Sequence, residues 1–266
     1  APTLNIIDGI TGADLGALPF EPQILAGNTS FYLNKVVVAE DGAIYVGNLS
    51  SASTATIQFV LYRYESETGE QTLVYFGDPS NGAATSSQVN GRWGDNLTVR
   101  GSGTNTQILL ASQGTLAAIL TPNSEAMAAF SAQTLATDAS SASMADSVSF
   151  GTGDTFWAKG NGFALRLLSF DTNAGTATAV QTIGSSTFPS QIGPIAVINS
   201  SNLLAGIEIS PDEDFVKLYD ISDPSLPVFL DRENYHTNVS NSRADGAVCY
   251  GGGNLYALNS DNGLMA

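Results

Sequence analysis

One pattern recurs five times along this 266-residue chain: an apolar stretch, a turn rich in Gly, Asp and Asn, and a second apolar stretch. The copies begin at residues 36, 97, 148, 195 and 248, so successive copies start 47 to 61 residues apart. Repeats of about 40 to 50 residues are typical of β-propeller blades. The sequence therefore predicts an all-β fold: a single domain, residues 1–266, forming a five-bladed β-propeller of four-stranded antiparallel blades. The copies span Val36–Tyr45, Leu97–Leu109, Val148–Phe156, Ile195–Leu204 and Val248–Tyr256.

The fifth copy is incomplete, because only Gly246–Tyr250, Asn254–Asn259 and the short segment Gly263–Ala266 follow a strand pattern. Residues 1–18 contain a hairpin pattern that belongs to no blade. Since an exposed sheet edge invites a further strand, we expect the N-terminal strands to complete the last blade. They can come from the same chain, which the higher effective concentration favours, or from a neighbour in a head-to-tail filament. The residues expected to carry this closure or assembly are Leu4, Ile6, Ile7, Leu15, Leu18, Leu255, Tyr256 and Leu258.

The charge of the chain limits its partners. It has 25 acidic residues against 9 basic ones, a formal net charge of −16. Such a field repels phosphate backbones and anionic lipid surfaces, so nucleic acid is excluded as a partner. No run of 18 apolar residues occurs, and we therefore expect no membrane insertion. The one cysteine, Cys249, lies in a strand pattern that predicts a buried, inert thiol.

Two short motifs resemble repeats of bacterial surface proteins. Asp41–Asn48 and Gly253–Ser260 resemble the G-x-L-Y-V-x-N signature of surface-layer-type propeller repeats. Val216–Pro227 resembles a repeat of cell-surface propellers in which a strand ending in Asp is followed by a Ser-Asp-Pro-Ser-x-Pro turn. Both resemblances imply a propeller at the cell surface.

Most of the chain also resembles an uncharacterised, β-propeller-like domain family of secreted bacterial proteins, from Ile7–Gly16 through Arg92–Asp95 to Leu255–Ser260. That resemblance implies an extracellular protein without an established activity, so it assigns no catalytic residues. Together with the acidity and the abundance of Ser, Thr, Asn and Gly, it leads us to expect an extracellular or cell-surface location.

One patch combines residue types that could bind a ligand. Arg92, Trp93 and Asp95 place a cation, an aromatic ring and an acid at the start of a predicted strand, and Trp157 and Lys159 repeat part of the set one blade later. Such a set fits a carbohydrate-binding site, or a glycoside hydrolase with Asp95 as one of its two carboxylates. The alternatives are tryptophans wedged between blades and an Asp95 that caps a turn.

The Asn and Asp residues of the chain raise two possibilities, calcium binding at turns and glycosylation at sequons. The turns Asp171–Gly175, Asn259–Gly263 and Pro211–Asp214 supply closely spaced oxygens, but none has a full calcium-loop spacing, so we expect turns and no metal site. Five Asn-X-Ser/Thr sequons are candidates for glycosylation. They start at Asn28, Asn48, Asn96, Asn199 and Asn238.

These observations favour a non-catalytic extracellular structural or cell-surface protein, which can self-assemble into a filament by β-strand exchange of its N-terminal segment. The alternative is a carbohydrate-binding module or a glycoside hydrolase on a five-bladed propeller. The single histidine, His236, excludes histidine-cluster metal chemistry. Expected partners are copies of the chain itself or extracellular glycans, and no cofactor is expected.

Overall fold

The computed structural model describes residues 4–20, 33–50, 58–80, 82, 92–140, 142–210, 213–236, 238, 239, 241 and 246–266. In these residues the chain forms 21 β-strands and two 3-10 helices, Gly103–Asn105 and Asn199–Ser201. The predicted all-β class is therefore confirmed. Neither helix in this part of the chain is long and apolar enough to cross a membrane.

The chain divides into two compact units. The first contains residues 1–112 and 116–134, and the second contains residues 113–115 and 135–266. Each unit is built from antiparallel strands that follow one another in sequence. The single domain expected from the sequence stays a prediction.

The first unit contains a two-stranded hairpin, a four-stranded sheet that we call the first sheet, and three further strands. Its turns follow local chemistry, because Asp41 Oδ1 accepts a hydrogen bond from Ala43 N (3.1 Å) in the first turn of the first sheet. The hairpin is β1 (Leu4–Ile7) and β2 (Asp14–Leu18), the first sheet is β3 (Lys35–Val38), β4 (Ile44–Gly47), β5 (Phe59–Tyr64) and β6 (Thr72–Gly77), and β7 (Trp93–Arg100), β8 (Gln107–Ser112) and β9 (Leu116–Pro122) follow.

The remaining strands lie in the second unit, except that β10 begins in the first unit and ends in the second. Strands β15 to β18 form a second four-stranded sheet, and β19 to β21 form a three-stranded sheet that we call the terminal sheet. The bounds are β10 (Phe130–Thr137), β11 (Ser147–Phe150), β12 (Thr155–Lys159), β13 (Leu165–Asp171), β14 (Thr176–Ile183), β15 (Ile192–Ile198), β16 (Leu203–Glu208), β17 (Phe215–Asp220), β18 (Val228–Asn234), β19 (Gly246–Gly251), β20 (Asn254–Asn259) and β21 (Gly263–Met265).

The strands do not form five four-stranded blades, so the predicted propeller is wrong in that form. Two of the predicted blades join in an eight-stranded sheet with the order β11-β12-β13-β14-β10-β9-β8-β7. The junction is parallel and pairs Ala136 with Thr176 and Thr137 with Ala177. Asp138 N also donates a hydrogen bond to Ala177 O (3.3 Å). The backbone groups at the outer edge of β10 are therefore paired with β14 and do not form an open sheet edge.

Completion of the last blade by the N-terminal strands of the same chain is also wrong for the described structure, while completion by a neighbouring chain stays a prediction. Strand β1 pairs antiparallel with β2, with Leu4 opposite Leu18, and neither strand pairs with the terminal sheet in the described residues. In the terminal sheet, β20 lies between the locally derived strands β19 and β21. The hairpin buries its apolar residues elsewhere, because Leu4, Ile6 and Leu18 pack against the first sheet.

The core of the first unit lies on both faces of the first sheet, and every residue of β4 is buried. Tyr45 faces one side and packs in a cluster with Trp93 and Ile108. Ile44 and Val46 face the other side and pack in the cluster that contains the hairpin residues. A strand that is buried on both faces has no polar alternation, which explains its continuous apolar sequence.

The core of the second unit consists of sheets packed face to face. One cluster joins Trp157 and Leu165 to Ile195 and Leu204. A second cluster joins the second four-stranded sheet to one face of the terminal sheet; its members include Ile207, Val216, Tyr235, Val248, Leu255, Ala257 and Met265. The opposite face of the terminal sheet takes no part in these described clusters.

Candidate functional site

The acid and the cation of the sequence-predicted patch form one closed ion pair. Arg92 Nη2 lies 2.7 Å from Asp95 Oδ1, and Arg92 Nε donates to Asp95 Oδ2 at 2.8 Å. This two-point geometry fixes the carboxylate as an acceptor. A glycosidase needs a carboxyl group that can give or take a proton at the substrate. Because both oxygens of Asp95 are held by Arg92, this arrangement gives no support to a catalytic Asp95.

Trp93 lies in the core and cannot act as a sugar platform. Its side chain is fully buried in the cluster that contains Phe59 and Leu97. Its backbone is held by Ser50, whose Oγ accepts a hydrogen bond from Trp93 N (2.8 Å) and whose N donates one to Trp93 O (2.9 Å). Stacking on a sugar requires an open ring face, so the carbohydrate-platform prediction for Trp93 is wrong.

Gly94 explains why these residues follow one another in the sequence. The strand pairing shifts register between Trp93 and Asn96, which is a β-bulge. Gly94 has φ +93°, and a Cβ built on it would lie 1.9 Å from Asn48 O. Only glycine fits both the backbone angle and the close approach. The Arg-Trp-Gly-Asp sequence therefore encodes a bulge that brings β7 against the end of β4.

Trp157 and Lys159 are also buried. Trp157 packs in the core of the second unit, so the platform prediction is wrong for this ring too. Lys159 has no exposed surface, and its Nζ donates hydrogen bonds to Gly160 O (2.7 Å) and Ser190 O (3.0 Å). Burial away from water lowers the pKa of Lys159 to about 8, although the carboxylate of Asp146 opposes this shift.

The depressed pKa of Lys159 makes stability depend on pH. Below pH 8 the folded and unfolded states are both protonated, and the full cost of the buried charge is present. Between about pH 8 and 10.5 the folded state loses the proton while the unfolded state keeps it, so the free energy of unfolding contributed by this group rises with pH. The shift corresponds to about 3 kcal/mol at most. We expect urea melts to show this rise in the wild type and not in Lys159→Met.

The Lys159→Met variant leaves neither of the two carbonyls without a donor, and the other contact that it removes is that of Lys159 with the Asp146 carboxylate. Gly160 O also accepts a hydrogen bond from Phe163 N (3.0 Å), and Ser190 O accepts one from Gly162 N (2.8 Å). The stability of the variant relative to the wild type should therefore be highest near pH 7 and fall toward pH 10.5. Parallel stability curves for the two proteins would refute the assignment.

The predicted closure residues divide into buried and exposed ones. Leu4, Ile6 and Leu18 are covered by the first sheet, whereas Ile7 and Leu15 are 44% and 61% exposed. In the terminal sheet, Leu255 belongs to the packed face and Tyr256 is half-buried. Leu258 is 47% exposed. Three of these residues, Ile7, Leu15 and Leu258, are thus accessible to a partner.

The glycosylation candidates differ in accessibility. Asn48 and Asn96 are buried, and Asn48 Oδ1 accepts a hydrogen bond from Val60 N (2.8 Å). A glycan cannot be attached to an enclosed amide, so the structure contradicts these two candidates. Asn199 is exposed and Asn238 is half-buried, while Asn28 lies outside the described residues. These three candidates stay predictions, and the amide nitrogens of Asn199 and Asn238 donate hydrogen bonds to Phe150 O (3.0 Å) and Asp214 O (2.8 Å).

A buried network of one carboxylate and several amides is the polar centre that sequence reasoning did not single out. Asp214 is fully buried. Its Oδ1 accepts a hydrogen bond from Ser210 N (3.0 Å). Its Oδ2 accepts bonds from Asn241 N (3.2 Å), Asn259 Nδ2 (2.8 Å) and Asn262 Nδ2 (3.1 Å). Two of the Asp- and Asn-rich turns in the sequence therefore meet at one point.

The amides in this network point their N–H groups at Asp214 because backbone contacts fix their orientation. Asn262 Oδ1 accepts a hydrogen bond from Val239 N and its Nδ2 donates to Val239 O, both at 2.7 Å. Asn259 Oδ1 accepts bonds from Asp261 N (3.0 Å) and Asn262 N (3.1 Å), which is an Asx turn. The described residues contain no group of three His, Cys, Asp or Glu side chains placed to hold a metal ion. The network therefore has a structural role: it holds the end of β20 against the start of β17.

The lone cysteine differs from its prediction as well. Cys249 is exposed on β19 and is not a buried thiol. The reason is that its side of the terminal sheet is the uncovered one. His236 is exposed too.

No family model and no curated protein matches the sequence. Among solved structures, the chain is similar to a DUF4623 family protein from Bacteroides eggerthii, with a TM-score of 0.60 and 13% identity over 89% of this chain and 58% of that one. It is also similar to U3-55K, with a TM-score of 0.52 and 10% identity over 96% of this chain and 81% of that one. The chain thus spans 58% of the DUF4623 structure. At these identities the likeness concerns the fold alone, and DUF4623 is itself an uncharacterised family.

Proposed function

We propose that this chain is a non-catalytic structural protein of the cell surface or extracellular space, which assembles with copies of itself by adding strands at open sheet edges. The observation that carries the proposal is that the hairpin and the terminal sheet each have an edge with which no other described strand pairs. Strand β21 pairs on one side with β20, with Met265 opposite Ala257, and no strand of the described chain pairs on its other side.

The hairpin supports the proposal because it is a two-stranded sheet, which is marginally stable alone. Among the described residues each of its strands pairs only with the other, and it carries the exposed residues Ile7 and Leu15. A third strand would satisfy backbone groups that otherwise face solvent. Since the edge of one copy and the hairpin of another are different surfaces, repeated addition builds an open, head-to-tail array.

The proposal of a non-catalytic role rests on the structure of the candidate site. Both carboxylate oxygens of Asp95 contact Arg92, and both tryptophans are buried in the core. The extracellular location rests on the acidic composition, since a net charge of −16 favours solubility outside the cell.

Aspartate at both exposed hairpin positions should abolish assembly. The paired substitutions Ile7→Asp and Leu15→Asp place charge at the strand edges, where charge blocks pairing. Sedimentation velocity and electron micrographs over a concentration series should show oligomers or fibres of the wild type and none of this variant.

The matched control is Ile10→Asp in the turn of the same hairpin, where Ile10 is 96% exposed and belongs to no strand. It adds negative charge without touching an edge, so assembly should persist. Wild-type chains that stay monomeric at every concentration would end the proposal.

A further inference from the structure

One asparagine of the terminal sheet belongs to a chemically labile pair. Asn-Gly occurs four times in the sequence, at Asn81, Asn90, Asn161 and Asn262. In such a pair the backbone N of the glycine attacks Cγ of the asparagine, because glycine has no side chain that hinders the approach. Ammonia leaves and a cyclic imide forms, and water then opens the imide to aspartate or isoaspartate. Asn161 and Asn262 are the two that lie among the described residues.

The folded chain holds both polar atoms of the Asn262 amide group. Its Oδ1 accepts a hydrogen bond from Val239 N (2.7 Å), and its Nδ2 donates to Val239 O (2.7 Å) and to Asp214 Oδ2 (3.1 Å). Deamidation expels Nδ2 as ammonia, so the bonds that Nδ2 donates must be given up during the reaction. Bonds that hold the ground state and weaken in the transition state raise the barrier. The closed network therefore shields Asn262 from modification.

Deamidation would prevent the network from closing again. The product carboxylate has no N–H group, so it cannot donate to Val239 O or to Asp214 Oδ2. It would instead place a second negative charge beside Asp214, which is fully buried. Two like charges in a buried site are strongly unfavourable. The isoaspartate product also adds a methylene group to the main chain between β20 and β21, so neither product restores the original fit.

The network holds one end of the middle strand of the terminal sheet. Asn259 Nδ2, at the end of β20, donates to Asp214 Oδ2 (2.8 Å), next to the start of β17. We propose that Asn262 is a spontaneous deamidation site, and that its modification permanently detaches the end of β20 from β17. The closed fold keeps the reaction slow. Modification therefore accumulates in chains whose network has opened, and it makes a transient opening irreversible.

The rate of deamidation tests the shielding. Folded protein is kept at mildly alkaline pH, and mass spectrometry of its peptides follows Asn262, with Asn161 as the internal reference. Asn262 should be modified at least about tenfold more slowly in the folded wild type than in the same chain in urea. Asp214→Ala should raise the rate in the folded protein at least about fivefold, because it removes one of the bonds that hold Nδ2. Asp223→Ala, in an exposed turn, should leave the rate unchanged.

Two controls secure this result. Circular dichroism establishes whether Asp214→Ala is folded, and Asn259→Ala repeats the test if it is not, because Asn259 Oδ1 also accepts a bond from Asn262 Nδ2 (3.3 Å). The rate at Asn161 should be the same in the wild type and the variants, which shows that the change at Asn262 is local. Equal rates at Asn262 in the folded and the urea-treated wild type would overturn the shielding, as would an unchanged rate in the folded variant.

Hydrogen exchange tests the permanent release. Asn262→Asp carries the deamidation product from the start, so amide exchange in β20 and β21 should be at least about tenfold faster than in the wild type. Asn173→Asp makes the same change in an exposed turn and should leave this exchange unchanged. Exchange in β20 that keeps its wild-type rate in Asn262→Asp would mean that the network accepts the carboxylate, and would overturn the release. Neither measurement depends on contact between copies, so its failure cannot be confused with failure of strand addition.

Discussion

Gly94→Ala should destabilise the first unit by about 3 to 5 kcal/mol, the largest effect expected from adding a single methyl group. Alanine at φ +93° is strained, and its Cβ would lie 1.9 Å from Asn48 O, which is backbone and cannot swing away. The bulge in β7 or the end of β4 must therefore move. Urea unfolding followed by the fluorescence of Trp93, in a Trp157→Phe background, measures the change.

Gly42→Ala separates the two contributions. Gly42 has a similar φ of +85°, but a Cβ there would meet nothing within 4 Å. Only the cost of the left-handed backbone remains, about 1 to 2 kcal/mol. Equal losses in the two variants would mean that the approach of Gly94 to Asn48 has no energetic weight.

Asp214→Ala should cost about 4 kcal/mol or more, the second large effect. It removes the acceptor of four hydrogen bonds, and bonds to a charged group contribute about 1.5 to 3 kcal/mol each before relaxation. The buried N–H groups of Asn259 and Asn262 would lose a partner in an enclosed site. Thermal and urea melts should show the loss, and hydrogen exchange should quicken first in β20 and β21.

Asp214→Asn gives a graded outcome. Its amide oxygen can replace Oδ2, which accepts three bonds, but its NH2 group would face the donor Ser210 N. The loss should therefore fall well below that of alanine. Asp223→Ala is the surface control, since this aspartate caps the exposed turn at Ser225. If it proves as damaging as Asp214→Ala, burial of the network is not the cause.

Local sequence predicts the strands of this protein well because turn residues and apolar runs are local signals. The sequence predicts a turn at Asp171–Gly175, and β14 begins directly after it at Thr176; in that turn Asp171 Oδ1 accepts a hydrogen bond from Asn173 N (2.8 Å). The recurring apolar–turn–apolar pattern likewise corresponds to observed antiparallel pairs, such as β3 with β4. Strand position and antiparallel pairing follow from neighbours a few residues apart.

The junction of β10 with β14 could not be predicted in the same way. This junction depends on the pairing of β10 with a strand that follows 40 residues later in the sequence, since Ala136 pairs with Thr176. No local pattern specifies a parallel pair of two residues. The position of the hairpin could not be predicted either, because its apolar residues could pair at a sheet edge or pack on a sheet face. In the structure they pack against Ile44 and Val46.

The candidate site shows the limit of residue types without geometry. Arg92, Trp93 and Asp95 suggested a binding patch, but the glycine between them was the informative residue. The buried state of Lys159 could not be predicted, since lysine is rarely enclosed. The network around Asp214 had a weak signal in its Asp- and Asn-rich turns, yet only the fold brought two of those turns together.

The dominance of pairing between consecutive strands has a consequence for how the chain emerges from the ribosome. Each hairpin can close as soon as its second strand leaves the exit tunnel, because the first strand is already outside. The outer edge of β10 is different, because Ala136 pairs with Thr176, which is synthesised 40 residues later. At about 5 to 20 residues per second, that edge stays open for roughly 2 to 8 seconds. Nascent chains on one message are therefore most exposed to mispairing with one another at this stage of translation.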